Sequence, residues 1–206
     1  MPKVLADQEE VVFQEGIPGE ASHIYELLMG AFAEQRRSLV KFIVDGKDAL
    51  QTGEFPDKFE LIEAESLTHD EITFRLSIDL INQMSVHQEA IAAYQLNILI
   101  LPWSDVFKQM DAFIKKIQPF ADLVDHVIPY AQAYSPPWKK NLEEIAVSQA
   151  NSLNKILEAF ESSDPAGLSD EICNVFLPLT QKTLKLFGDD IIPFLKTKVE
   201  ENKPAS

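Results

Sequence analysis

The sequence predicts an α+β protein: a small N-terminal sheet carrying one helix, followed by a long antiparallel four-helix bundle with proline kinks. Three observations predict it. Short β-branched and aromatic runs, punctuated by Gly and Pro, occupy the first third of the 206 residues. Apolar residues at alternating three- and four-residue steps occupy the rest. The connections between those helical stretches are short, which favours antiparallel neighbours. The expected division is a small α/β domain over 1–67 and a helical bundle over 68–206.

The elements follow in order. The tails, Met1 to Glu9 and Glu200 to Ser206, read as unstructured. Glu10 to Glu15 contains Val11, Val12 and Phe13 and reads as a strand, and Gly16-Ile17-Pro18-Gly19 reads as a turn. Glu20 to Arg37 carries Ile24, Leu27, Leu28, Ala31 and Phe32 at helical spacing, with acidic residues early and arginines late, as the helix dipole prefers. Leu39 to Val44 is a strand that ends at Asp45-Gly46, a tight-turn signal. Asp48 to Leu50 reads as a short return strand, Thr52 to Lys58 as a loop, and Phe59 to Ala64 as a strand. One helix on one face of such a sheet suggests a ubiquitin-like β-grasp topology, whose first strand is not visible in the sequence.

Thr68-His69-Asp70-Glu71 matches a capping box and opens a helix over about 69–101. Its stripe is Ile72, Leu76, Leu80, Met84, His87, Ile91, Tyr94, Ile98 and Leu101. Residues 72–80 also alternate as a strand would, and the unbroken pattern beyond them favours helix. Pro102 ends that helix. The next spans Trp103 to Ala133 through Pro119 and Pro129, with Val106, Met110, Phe113, Ile117, Phe120, Val124, Val127 and Ala131 inward. A third spans Trp138 to Glu161, with Leu142, Ile145, Gln149, Leu153, Ile156 and Phe160 inward. A fourth spans Leu168 to Glu200, with Ile172, Val175, Leu179, Leu186, Ile191, Phe194 and Val199 inward, Pro178 and Pro193 interrupting it without a change of register.

Composition excludes several function classes. The net charge is −15, divided as −8 over residues 1–67 and −7 over 68–206, so neither part offers a basic footprint for nucleic acid. Anionic membranes are repelled, and an apolar run such as Ile98 to Leu101 lies far below the roughly 20 residues that span a bilayer. The acidity fits a basic protein partner. The single cysteine, Cys173, rules out an internal disulfide and a cysteine-based zinc site, and points to a reducing cytoplasm.

Chemistry-bearing patterns are sparse. No phosphate-binding glycine loop of the P-loop or dinucleotide type is present. Glu20-x-x-His23 is a lone half of a di-iron motif, and Asp122 and His126 share a helix face without a matching pair elsewhere. His87 lacks the neighbouring Lys of a phosphotransfer histidine and reads as structural. No cofactor or metal is implied. Trp103 and Trp138 stand beside prolines at helix starts, as bundle seals or partner anchors. The helix prolines can open a cavity, for which Tyr94, His126 and Tyr130 are the candidate polar groups.

The stretch Leu39-Val40-Lys41-Phe42-Ile43-Val44-Asp45-Gly46-Lys47-Asp48 resembles a segment of small uncharacterised bacterial proteins, in which a β-α-β part with a Val-Asp-Gly turn precedes a helical region. The resemblance implies that architecture and a bacterial source, and carries over no functional residue. The expected function is non-catalytic protein interaction, as an adaptor, chaperone or regulatory subunit. The alternatives are a small-ligand-binding or sensor bundle, and an enzyme with an unrecognised site. A homodimer is a further expectation, since long bundle faces self-associate.

Overall fold

A computed structural model describes residues 2–14 and 16–202. The chain is α+β and divides into two compact units, between Ile72 and Thr73.

The first unit is built on a sheet of five short strands among the described residues: β1 (Lys3–Ala6), β2 (Glu9–Glu10), β3 (Arg37–Val44), β4 (Lys47–Asp48) and β5 (Leu61–Thr68). Their spatial order is β2-β1-β5-β3-β4; β1 is parallel to β5 and the other pairs are antiparallel. Helix α1 (Ala21–Glu34) turns Ala21, Ile24, Leu28 and Phe32 into the unit's core, where they meet Val4, Phe42, Val44, Ile62 and Ala64. Alternation in β5 is complete: Ile62, Ala64 and Ser66 are buried, Glu63 and Glu65 exposed.

Two corrections concern the start of the chain. The first strand is Lys3–Ala6, inside a segment expected to be unstructured, and residues 11–13 form no strand. Val12 is 88% exposed, whereas Val11 and Phe13 pack against the core from a loop. The β1–β2 turn has both central residues, Asp7 and Gln8, at positive φ (49° and 72°). That is the backbone of a type I′ hairpin, in a sequence without the glycine that usually announces one. The Asp45-Gly46 turn has the same geometry, with φ of 48° and 83°.

Two further corrections follow along the chain. The return strand is only Lys47–Asp48; Asp48 then caps a single helical turn, α2 (Ala49–Thr52), by accepting the Leu50 N–H at 3.0 Å. The last strand runs to Thr68 rather than Ala64, because its far end is held by β3 and by Asp7.

The second unit has one hydrophobic core, built from α3 (His69–Ile98), α4 (Trp103–Lys108), α5 (Met110–Tyr134), α6 (Lys139–Glu161) and a helical run over 165–201. Helix α3 opens on the expected capping box: Glu71 N–H donates to Thr68 Oγ1 at 3.2 Å, and Thr68 N–H donates to Glu71 Oε2 at 2.9 Å. Residues 72–80 are helical, but the buried positions there are Thr73 and Ser77, not Ile72 and Leu76. The helix expected over 103–133 breaks at Gln109, whose N–H turns back to Val106 O at 3.1 Å. Beyond that break every expected α5 core residue except Met110 is buried, and the helix continues through Pro119 and Pro129.

The run after α6 starts at Pro165, with Asp164 Oδ1 accepting the Gly167 N–H at 2.9 Å. It consists of α7 (Pro165–Glu171), α8 (Leu177–Leu186) and α9 (Ile192–Glu201), separated by π-helical turns over Ile172–Phe176 and Phe187–Ile191. In each turn an N–H reaches five residues back, Leu177 to Ile172 O and Ile192 to Phe187 O. Pro178 and Pro193 each follow a turn by two residues. Proline has no N–H for the carbonyl four residues earlier and its ring crowds that carbonyl; the wider π turn relieves both problems. Of the expected inward residues Ile172, Leu179, Leu186 and Ile191 are buried, whereas Val175 is 39% exposed and Phe194 only partly buried; Phe176, Phe187 and Leu195 are fully buried instead.

Candidate functional site

The five residues singled out from sequence do not converge on one cavity. Tyr94 is buried in α3, stacks on Phe113 of α5 with ring centroids 4.6 Å apart, and donates its hydroxyl to Val106 O at 3.2 Å. Burial with only that partner pushes its phenol up to about 12. Tyr130 is buried elsewhere in α5, between Tyr134 at 4.7 Å and Trp138 at 6.0 Å. Trp138 stacks on Tyr130 and meets Phe194 edge-on at 6.1 Å. The structure therefore joins Tyr130 and Trp138 in an aromatic seal and leaves Tyr94 apart. Trp103 is half-buried against Phe160, with centroids 5.9 Å apart. His126 is exposed, with Nδ1 2.6 Å from Asp122 O, while the Asp122 carboxylate accepts from Gln118 Nε2 at 2.7 Å.

Helix α3 and helix α5 leave a groove of about 240 Å³ between them, lined by the aromatic rings of Tyr94 and Phe113, by Ala90, Ala93 and Ala112, and by the polar Asn97, Gln109 and Lys116. That is below the roughly 300 Å³ at which ligand pockets usually begin, and the Tyr94 hydroxyl is already engaged. Among the described residues no group of three or more His, Cys, Asp and Glu is placed to hold a metal ion. His23 and Cys173 are both exposed.

The sheet edges are poor docking sites. Both edge strands, β2 and β4, are two residues long and consist of charged residues, Glu9-Glu10 and Lys47-Asp48. Short, charged edges discourage strand addition.

Helix α3 carries a different feature. Its core-facing seam is Met84, Ile91, Tyr94 and Ile98. A second series, Val86, Glu89, Ala93 and Leu96, advances by steps of three and four and is continued by Ile100 in the turn after the helix; every member is exposed. At about 100° per residue the two series lie on opposite sides of the helix. Val86 is 74% exposed, Leu96 64% and Ile100 76%. The side of a surface helix away from its core is ordinarily polar. From Leu80 to Ser104 the only formally charged side chain is Glu89, in a chain where a quarter of the residues are charged. This strip was missed in the sequence because the inward stripe explains α3 by itself; the charge gap is the signal that marks it.

Comparison with protein-family models, curated proteins and solved structures gave no significant match for this chain. Among the described residues no helix is long and apolar enough to cross a membrane. The outward side of α3 is thus an exposed, largely apolar row with the α3/α5 groove beside it.

Proposed function

We propose that this is a non-catalytic interaction protein, an adaptor, chaperone or regulatory subunit, whose contact surface is the outward strip of α3. One observation carries the reading: an exposed apolar series at helix-pairing spacing, nearly free of charge, on a chain of net charge −15. Exposed apolar surface of this kind is costly to keep in water and marks sites that meet a partner. Helices bind helices through such stripes.

The two units have different roles in this proposal. The first is read as β-grasp-like, supported by the order β2-β1-β5-β3-β4, the parallel β1–β5 centre and the single packed helix. The second is read as a four-helix bundle of α3, α5, α6 and the α7–α9 run, with α4 as a corner; their shared core supports this. The single cysteine supports a reducing, cytoplasmic setting. Basic partners would meet the acidic faces, and apolar ones the strip.

The test is affinity capture with two baits, the wild-type chain and the double variant Leu96→Glu/Ile100→Glu, at low and moderate salt. The proposal expects proteins retained by the wild type and lost by the variant at both salts. Identical retention by the two baits overturns it.

A further inference from the structure

We propose that the groove between α3 and α5 binds a small aromatic monocarboxylate, held by the Lys116 ammonium and the carboxamides of Asn97 and Gln109. The proposal goes beyond the contact surface and stands on a different observation.

Lys116 carries the argument. It is half-buried in α5 and makes no ion pair or hydrogen bond among the described residues. A lysine drawn partly out of water is ordinarily paired. Its usual pairing positions, three and four residues away on α5, hold Ala112, Phe113, Pro119 and Phe120. None of the α3 residues that line the groove is acidic. In a chain with 33 acidic and 18 basic side chains, this cation lines a groove that contains no carboxylate. A half-buried positive charge without a counter-charge favours an anion beside it.

The rest of the lining selects the anion. The Asn97 and Gln109 side chains line the same groove and make no hydrogen bond among the described residues, so their amide N–H groups are free to donate. One carboxylate accepts from an ammonium and from carboxamides together, and its single charge matches the single lysine. The Tyr94 and Phe113 rings, with centroids 4.6 Å apart, and three alanines complete the lining. That surface suits a flat aromatic body. A phosphate, with more charge and more strongly hydrated oxygens, would lose its water against it. The groove is too small for a drug-sized ligand, and this bounds its occupant: about 240 Å³ is about eight times a water's share of the liquid, room for about ten heavy atoms.

Titration of the isotope-labelled full chain with benzoate, followed by heteronuclear NMR, tests the site. Saturable shifts are expected at the Asn97 and Gln109 side-chain amides, with a dissociation constant of about 1 mM or below, as so few heavy atoms allow. Benzamide has the shape without the charge, and acetate the charge without the ring; each should bind at least about tenfold more weakly. Lys116→Met keeps the length of the side chain and removes its charge. It should weaken benzoate at least about tenfold and leave benzamide unchanged, a split that unfolding would not produce. Lys115→Met makes the same change of net charge at an exposed neighbour and should leave benzoate affinity within about twofold. Ala112→Leu, also at an exposed position, should fill the groove and abolish binding of both probes. Equal benzoate affinity in Lys116→Met and wild type overturns the role of the ammonium. Tighter binding of inorganic phosphate than of benzoate overturns the ligand class, and no saturable shift with any of these probes overturns the site.

Discussion

Asp7 holds Ser66 through both of its carboxylate oxygens, across 59 residues of sequence: Oδ1 accepts the Ser66 N–H and Oδ2 the Ser66 hydroxyl, each at 2.7 Å. Arg37 closes the group, donating to Asp7 Oδ2 at 3.1 Å and to the Ser66 hydroxyl at 2.7 Å. The β1–β2 turn is thereby fixed to the middle of the sheet. A carboxylate that accepts a partly buried N–H and O–H contributes more than a neutral hydrogen bond does.

Asp7→Ala should therefore cost about 1–3 kcal/mol of stability. Asp7→Asn should cost less, because a carboxamide oxygen still accepts the Ser66 N–H and asparagine tolerates the positive φ at this position. Hydrogen exchange at the Ser66 amide distinguishes the two. It should be fast in the alanine variant and intermediate in the asparagine variant.

The reciprocal bonds between Thr68 and Glu71 start helix α3. Thr68→Ala should cost about 1 kcal/mol. Denaturant unfolding measures that loss, and exchange at the Glu71 amide, which loses its acceptor, places it at the helix start.

Burial raises the Tyr94 phenol to about 12 from its ordinary value of 10.0. The folded state holds this proton more tightly than the unfolded state does. The associated stability is fully present below pH 10.0 and is lost as pH rises toward 12. Tyr94→Phe removes that slope, and at neutral pH it should cost about 0.5–1.5 kcal/mol for the bond to Val106. Urea midpoints below and within this alkaline window, for wild type and variant, give both quantities.

Trp138 is 3% exposed, and its Nε1–H has no protein partner among the described residues. Trp138→Phe keeps a ring against Tyr130 and Phe194 and removes an unpaired buried donor, so its cost should stay below about 1.5 kcal/mol. Trp138→Ala opens a cavity and should cost about 3–5 kcal/mol. Thermal denaturation of the two variants gives the order. Equal losses would show that ring packing is not what this residue contributes.

These side chains also show where the sequence was legible. Local, reciprocal signals carried through: the Thr68–Glu71 box, the Asp45-Gly46 turn and the inward residues of α5 from Phe113 to Ala131 stand where their spacing puts them. Signals that depend on distant partners did not. Strand β1 is four residues whose main partner is Leu61–Ala64, and Asp7-Gln8 lacks a turn-forming glycine, so nothing local announces the strand. Phe176, Phe187 and Leu195 each stand one position after an expected inward residue, Val175, Leu186 and Phe194, a choice between three- and four-residue steps that the sequence pattern leaves open. Five candidate residues were chosen for their chemical type. Two of them form an aromatic seal, and the exposed α3 strip needed a reading of which face carries no charge.

Photo-crosslinking in the native cell tests the central claim most directly. A photoreactive residue replaces Leu96 on the α3 strip in one variant, and in another it replaces Val147, which is 63% exposed and apolar but belongs to α6. The account predicts a discrete covalent adduct from position 96 and little from position 147. Adducts from position 147 with none from position 96 would contradict the assignment of the α3 strip as the contact surface.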